Sequence, residues 1–298
     1  MLAIVIPYYK KTFFHETMES IASQTCKDFV LYIGDDASPE NPQDIIEEYK
    51  DKINIVYHRF EENLGGKDLV AQWERCIDLT NGEEWLWLFS DDDTMDDGCV
   101  KEFYDVAGSD ESIQLLRFSK KYSNVVTGES WHSDYKKGFC LVSDFLPDVL
   151  NMTQNHVTMP EFAYRRSLYE RLGIVKLPLA WGSDKATYLK YVCDVGGLYN
   201  METAINYRFS DENISAKEDV TVLKEKSIAD QLYEKHLVVL FRNISKRYPL
   251  IDLSEILDRR VTRYKSLPFG ILIFIVRNLF HLVKSSKEIK KIVKIILG

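Results

Sequence analysis

The sequence contains no C-x-x-C pair and no Cys/His ligand spacing. Its five cysteines, Cys26, Cys76, Cys99, Cys140 and Cys193, are odd in number and far apart. This excludes a structural zinc site of the usual spacing, argues against a disulfide scaffold, and fits a reducing, cytoplasmic compartment. A basic n-region and an apolar stretch of signal-peptide length are also missing, because the chain starts directly with the strand-like run Leu2–Pro7; cleavable secretion is not expected. No apolar run reaches the roughly 20 residues of a membrane span. The C-terminal run Ile271–Val276 is interrupted by Arg277. Internal repeats and low-complexity segments are absent, and the apolar and charged fractions, 45% and 28%, are those of an ordinary globular chain.

The first 258 residues are short of positive charge. Residues 259–298 hold ten Lys or Arg against one acid, Glu288, a net +9, so with −8 overall the preceding body carries −17. An acidic body argues against nucleic acid as a partner. The basic tail has Arg277, His281, Lys284 and Glu288 recurring at helical spacing between apolar residues, and Lys287, Lys290, Lys291 and Lys294 doing the same against Ile289, Ile292, Val293 and Ile296. It reads as an amphipathic helix suited to an anionic membrane surface, hence peripheral at the inner face of the cell membrane, or alternatively to a protein surface.

Residues 1–120 alternate short β-rich runs (Ala3–Ile6, Phe29–Ile33, Ile53–Tyr57, Trp85–Phe89, Ile113–Phe118) with helical patterns, one of them over roughly Lys67 to Leu79 and another opening at Asn41-Pro42. That alternation predicts an α/β fold built from βαβ units around a mainly parallel sheet flanked by helices. Helical patterns are expected over about 160–194 and 217–248, with a short strand at about 203–209. In such sheets ligands bind beyond the carboxyl ends of strands. Acids stand at two of those ends, Asp35-Asp36-Ala37-Ser38 after the second run and Ser90-Asp91-Asp92-Asp93 after the fourth.

Three adjacent carboxylates repel one another unless a cation or hydrogen bonds offset the charge. A hard divalent ion, Mg²⁺ or Mn²⁺, shared with substrate phosphates is the natural partner. The plain alternative is a solvated turn in which Asp93 or Asp96 caps a helix starting near Asp97. Asp35-Asp36 alone is equally compatible with a local Asx turn. Together the two sites can hold opposite ends of one nucleotide.

Four segments, in this order and spacing, resemble family-2 glycosyltransferases of the GT-A fold: Ile4-Val5-Ile6-Pro7-Tyr8-Tyr9, Asp35-Asp36-Ala37-Ser38, Asn63-Leu64-Gly65-Gly66, and Trp87-Leu88-Phe89-Ser90-Asp91-Asp92-Asp93. The resemblance covers residues 1–215 and implies a nucleotide-binding domain there, with 216–298 as a helical extension. By resemblance, Pro7 and Tyr9 line the nucleotide pocket, Asp36 contacts the base, commonly uracil, Asp91 lies near the ribose, and Asp92 with Asp93 holds the metal. Phe162–Tyr169 followed by Trp181-Gly182-Ser183-Asp184 resembles the acceptor side, where Asp184 takes the place of the general base. The implied activity is inverting, metal-dependent transfer from a nucleotide-sugar donor to a saccharide or lipid-linked saccharide hydroxyl, as in surface polysaccharide assembly.

Two positions depart from the family pattern. Ser210 stands where a His often lies beside the diphosphate, leaving Arg208 or Lys217 for that contact, and Ala71-Gln72-Trp73 replaces a segment that usually carries an Arg. Other readings fit less well. A haloacid-dehalogenase-type phosphatase wants Thr or Val where Met95 stands, and a nucleotidyltransferase wants a Gly-rich loop where Tyr8-Tyr9-Lys10-Lys11-Thr12 stands. A non-catalytic nucleotide-sugar-binding or membrane assembly protein is the alternative from another class.

Overall fold

The structure is a computed structural model that describes residues 1–150, 155–249, 251 and 253. The basic stretch 259–298 lies outside the described residues. The chain divides into two compact units, Met1–Leu223 and a second that starts at Lys224.

In the first unit a ten-stranded mixed sheet is formed by β1 (Leu2–Tyr8), β2 (Phe29–Asp35), β3 (Asn54–Arg59), β4 (Trp85–Leu88), β5 (Thr94–Met95), β6 (Leu115–Asn124), β7 (Ser130–His132), β8 (Gly138–Leu141), β9 (Phe162–Arg165) and β10 (Gly197–Phe209). Its order is β3-β2-β1-β4-β9-β6-β10-β5, with β7 on β6 and β8 on β10. β1, β2, β3 and β4 are mutually parallel. β9 runs against both β4 and β6, so β6 and its parallel neighbour β10 share the direction of β4. The carboxyl ends of these six strands therefore lie along one edge.

Burial follows strand position. β1, β2 and β4 are almost wholly buried, whereas the edge strand β3 alternates between exposed and half-buried. Near-continuous apolar runs such as Leu2–Ile6 are what a parallel strand covered on both faces requires. Leu2, Ile4, Ile6 and Tyr8 pack with α1 (Phe14–Ala22), α2 (Gln43–Tyr49) and α4 (Cys99–Ala107), whose Phe14, Met18, Ile45, Cys99 and Phe103 complete the core. α3 (Leu69–Ile77) also packs on β1 and β2, presenting Val70, Trp73, Cys76 and Ile77 inward.

Three local expectations need correction. α2 begins one residue after Pro42, with the Asn41 side chain accepting from the Gln43 N–H at 2.9 Å. Neither Asp93 nor Asp96 caps α4, whose N-terminal flanking residue is Gly98. Residues 160–194 are not continuously helical: β9 precedes α6 (Arg166–Leu172) and α7 (Ser183–Val195). Four residues are too few to establish a period, and only pairing between β4 and β6 identifies Phe162–Arg165 as a strand. The strand expected at 203–209 extends back to Gly197, and α5 spans Val142–Val149. The helix expected near 217–248 is α8 (Val220–Arg247). Among the described residues no helix is long and apolar enough to cross a membrane.

A buried ion network joins the later strands. Arg117 on β6 donates to Glu161 at 3.0 Å, to Asp148 at 2.6 Å and to the Asn155 carbonyl at 2.8 Å. Lys120 donates to the other Glu161 oxygen at 2.8 Å, and that oxygen also accepts from the Thr158 N–H and hydroxyl. Arg117, Lys120 and Glu161 are fully buried. Burial alone would lift the Glu161 carboxyl, but the charges of Lys120 and Arg117 more than reverse it and hold it below the ordinary value of 4.5.

A depressed folded-state value contributes stability that is fully present above the unfolded value and lost as pH falls through the folded one. Acid titration of unfolding free energy should therefore keep a Glu161 contribution until below the ordinary glutamate range. Glu161→Gln, which leaves the buried Lys120 ammonium without its carboxylate and Arg117 with Asp148 alone, should cost about 3–5 kcal/mol in chemical denaturation.

Candidate functional site

The chain passes from β1 outward to β2 and β3, then returns to β4 on the other side of β1. This reversal opens a crevice at the carboxyl ends of β1 and β4, the place where doubly wound sheets bind ligands. Asp91 bridges it: one carboxylate oxygen accepts from the Tyr9 N–H at 2.7 Å and the Lys10 N–H at 2.8 Å. Asp92 pairs with the Lys10 ammonium at 2.9 Å. Asp93 accepts from the Arg208 N–H at 2.7 Å and from the Ser90 hydroxyl. Thr17 on α1 donates to the Asp93 carbonyl at 2.8 Å, locking the turn from behind. All three acids are more than nine-tenths buried.

Their charge is only partly offset. Burial, and then the Asp92 charge, pushes the Asp91 carboxyl up to about 6 and lifts Asp93 well above the ordinary value. An oxygen-only cluster with surplus negative charge fits a hard divalent cation. No group of three or more His, Cys, Asp or Glu among the described residues is arranged to hold a metal. An ion here would need oxygens from outside the protein to complete its coordination.

The Asp35-Asp36 turn is built differently. Asp35 accepts from Tyr57 and Arg59 at 2.7 and 2.6 Å and from the Ser38 N–H at 2.8 Å, with Ala37 between them at φ 49°. Asp36 accepts from the Leu64 and Gly65 N–H groups at 2.7 and 2.8 Å, from Asn63 at 3.1 Å and from Arg75 at 2.5 Å. Its carboxylate thus fastens the Asn63–Gly65 loop to the end of β2. Pro7 is half-buried and Tyr9 is 43% exposed at the end of β1.

Arg75 is a residue the sequence reading missed. It lies one turn after Ala71 on the same face of α3, and its guanidinium sits 3.8 Å above the Phe60 ring. Helical spacing from the segment that departs from the family pattern was the available signal. Arg208 places its guanidinium over Phe13 at 4.2 Å and donates to Glu16, while its buried Nη1 has no hydrogen-bond partner. Ser210 is buried, with its N–H and hydroxyl both donating to Asn213 Oδ1 at 2.7 and 2.8 Å. Asn213 in turn reaches Asp92 at 3.5 Å, so this loop folds against the acids.

Asp184 lies in the first turn of α7, half-buried, with the Lys185 N–H on its Oδ1 at 2.7 Å. Burial raises its carboxyl above the ordinary value, with Lys185 opposing. It lines a cavity of about 10 Å³ with Leu88 at the end of β4, Trp73, Tyr164 and Tyr188. The segment before it is conformationally strained: Leu179 and Ala180 have φ of 56° and 52°, next to Gly182 at 81°. Side chains with a Cβ rarely occupy this region, and such strain tends to gather at functional sites. Burial, and then the charges of Asp93, Asp92 and Asp184, raise the Tyr207 phenol above its ordinary value.

Residues 3–173, more than half of the chain, match the family model described as Glycosyl transferase family 2. EpsH of Bacillus subtilis (strain 168), whose own glycosyltransferase assignment is provisional, is 27% identical over 131 residues. These are 44% of this chain and 36% of EpsH, so the match spans about a third of that relative's length. Two crystal structures of S. aureus TarS 1-349 share the fold. The complex with UDP-GlcNAc has a TM-score of 0.60 at 15% identity, and the complex with UDP 0.56 at 16%; each alignment covers 96% of this chain and 88% of the other.

Gly65 tests the Asp36 anchor. A Cβ there would lie 2.6 Å from Asp36 Oδ2, the oxygen its own N–H bonds. Gly65→Ala should displace the carboxylate, cost about 1–3 kcal/mol in chemical denaturation and speed hydrogen exchange at the Leu64 and Gly65 amides.

Proposed function

Because the chain belongs to glycosyl transferase family 2, and is thus a glycosyltransferase of GT-A fold, we propose that it moves a sugar from a nucleoside-diphosphate donor to an acceptor hydroxyl with inversion. The observation that carries this reading is the burial of Asp91, Asp92 and Asp93 together in the crevice at the carboxyl ends of β1 and β4, with Asp91 holding the Tyr9 and Lys10 amides. The UDP and UDP-GlcNAc bound by TarS favour a UDP-sugar as donor. A saccharide or lipid-linked saccharide of a surface polysaccharide is the acceptor in this reading, and an anionic membrane surface is where the chain meets it.

The nucleotide lies between Pro7, Tyr9 and the loop fastened by Asp36, with its ribose toward Asp91. A divalent cation, Mg²⁺ or Mn²⁺, held by Asp92 and Asp93, supplies charge stabilisation for the leaving diphosphate when bound. Arg208 adds a donor, since its Nη1 is buried without a partner. Asp184 takes the proton of the acceptor hydroxyl as that oxygen bonds to the anomeric carbon. The bond from that carbon to the diphosphate oxygen breaks, and the electron pair leaves with the nucleotide. One displacement inverts the configuration.

Calorimetric titration with nucleoside diphosphates, with and without Mn²⁺, should give metal-dependent binding of UDP that Asp92→Ala loses. Binding of no nucleotide would sink the reading. A general base acts as its anion, and burial raises Asp184. Turnover per KM should therefore rise with pH through a limb above the ordinary aspartate value of 3.8 and then level off. Asp184→Asn should keep UDP binding and lose about 10²–10⁴-fold in rate; an unchanged rate would remove Asp184 from the role.

A further inference from the structure

The side chain of Lys10 has no part in the reaction described above, yet it lies on the acids. Its Nζ donates to Asp92 Oδ2 at 2.9 Å, and the Asn213 amide reaches the same oxygen at 3.5 Å. The Lys10 side chain is 26% exposed and that of Asp92 10%, so the lysine keeps contact with water while the carboxylate is nearly enclosed. The next residue goes elsewhere: Lys11 Nζ donates to both Asp44 oxygens, at 2.8 and 2.7 Å, and to the Asn41 carbonyl. Arg208 sends its guanidinium to Glu16 and over Phe13. Among the described residues, Lys10 is thus the only lysine or arginine whose side chain bonds one of the three acids.

The carboxylate that Lys10 holds is one of the two assigned above to the divalent ion. An ammonium in hydrogen-bond contact and a divalent ion repel each other too strongly to share one carboxylate oxygen. The ammonium can leave without disturbing the fold, because the Lys10 main chain is fixed independently: its N–H donates to Asp91 at 2.8 Å. Only the flexible four-carbon stem has to swing. It needs another anion to swing to, and a diphosphate is one that a lysine binds well as a point charge.

We propose that Lys10 makes entry of the divalent ion depend on the donor: its ammonium holds Asp92 until a nucleoside diphosphate arrives, then passes to the diphosphate and leaves Asp92 to the ion. The assignment rests on the nucleotide-sugar reading and adds to it a donor-binding residue and an order of binding. Ion and donor enter together, and the ion alone binds weakly.

The test is titration of the full chain with Mn²⁺, followed by electron paramagnetic resonance of the free ion, with and without saturating UDP. Without UDP, Lys10→Met should bind Mn²⁺ at least about tenfold more tightly than wild type. Lys10→Gln, which removes the charge and keeps an amide donor for Asp92, should do the same and provides a second neutral variant. Lys11→Met should stay within about threefold of wild type, since its ammonium is engaged at Asp44. With UDP bound, the advantage of the neutral Lys10 variants should shrink to within about threefold, and by linkage Mn²⁺ should strengthen their UDP binding correspondingly less than in wild type. Wild-type Mn²⁺ affinity in both neutral Lys10 variants overturns the proposal, as does an equal gain in Lys11→Met or an advantage that persists in full with UDP. UDP binding by the wild type separates the two readings: UDP bound with Mn²⁺ but unaltered coupling in the variants removes only the role of Lys10, whereas UDP unbound removes the donor reading beneath it.

Discussion

The structure depends on one contact, the acceptance of the Tyr9 and Lys10 amides by the Asp91 carboxylate. It joins the ends of β1 and β4 at the point where strand order reverses. It also buries a negative charge that the surroundings disfavour, since burial and the neighbouring Asp92 lift the Asp91 carboxyl to about 6. Asp92 and Asp93 follow on the same backbone, and their repulsion concentrates unmet charge in a crevice backed by α1. The surplus negative charge at this edge is thus a by-product of how two strand ends are fastened.

Much of this was legible in the sequence. β1, β2 and β4 announced themselves as apolar runs without alternation, and acid turns followed β2 and β4 directly, so a mainly parallel sheet with acids at two strand ends could be inferred before any coordinates, though the strand order could not. β9 was not legible, since Phe162–Arg165 is a strand only by virtue of its neighbours. Nor was the Arg117–Glu161–Lys120 network, because isolated charges in a sequence carry no mark of burial or pairing. Arg75 was hidden by displacement along its helix. Asp36 was visible as a residue but not as an anchor: a sequence displays the acid and conceals the donors that saturate it.

The two acid turns illustrate different uses of the same side chain. Asp35 and Asp36 are neutralised by arginines and by donors of their own loop, and what they provide is shape. Asp91 and Asp93 are raised by burial and by their neighbour, and what they provide is a demand for charge. Asp184 belongs with the second group, placed by a segment whose backbone holds two non-glycine residues at positive φ. That strain is compensated by α7, where Ser183 and Thr187 bond back to the Leu177 and Val175 amides at 3.1 and 2.9 Å.

The reversed strand β9 also defines a seam. Along the sheet, β3-β2-β1-β4 meets the remaining strands through three residue pairs, Trp85 with Arg165, Leu86 with Tyr164 and Trp87 with Ala163. On one side lie the turns that carry Asp36 and Asp91; on the other lie β6, with the buried Arg117 and Lys120, and β10, whose Arg208 amide reaches Asp93. A chain divided this way is modular along its sheet: recombination or drift that rebuilds the strands beyond β9 can alter what is recognised there while the register of β1, β2 and β4 is inherited intact.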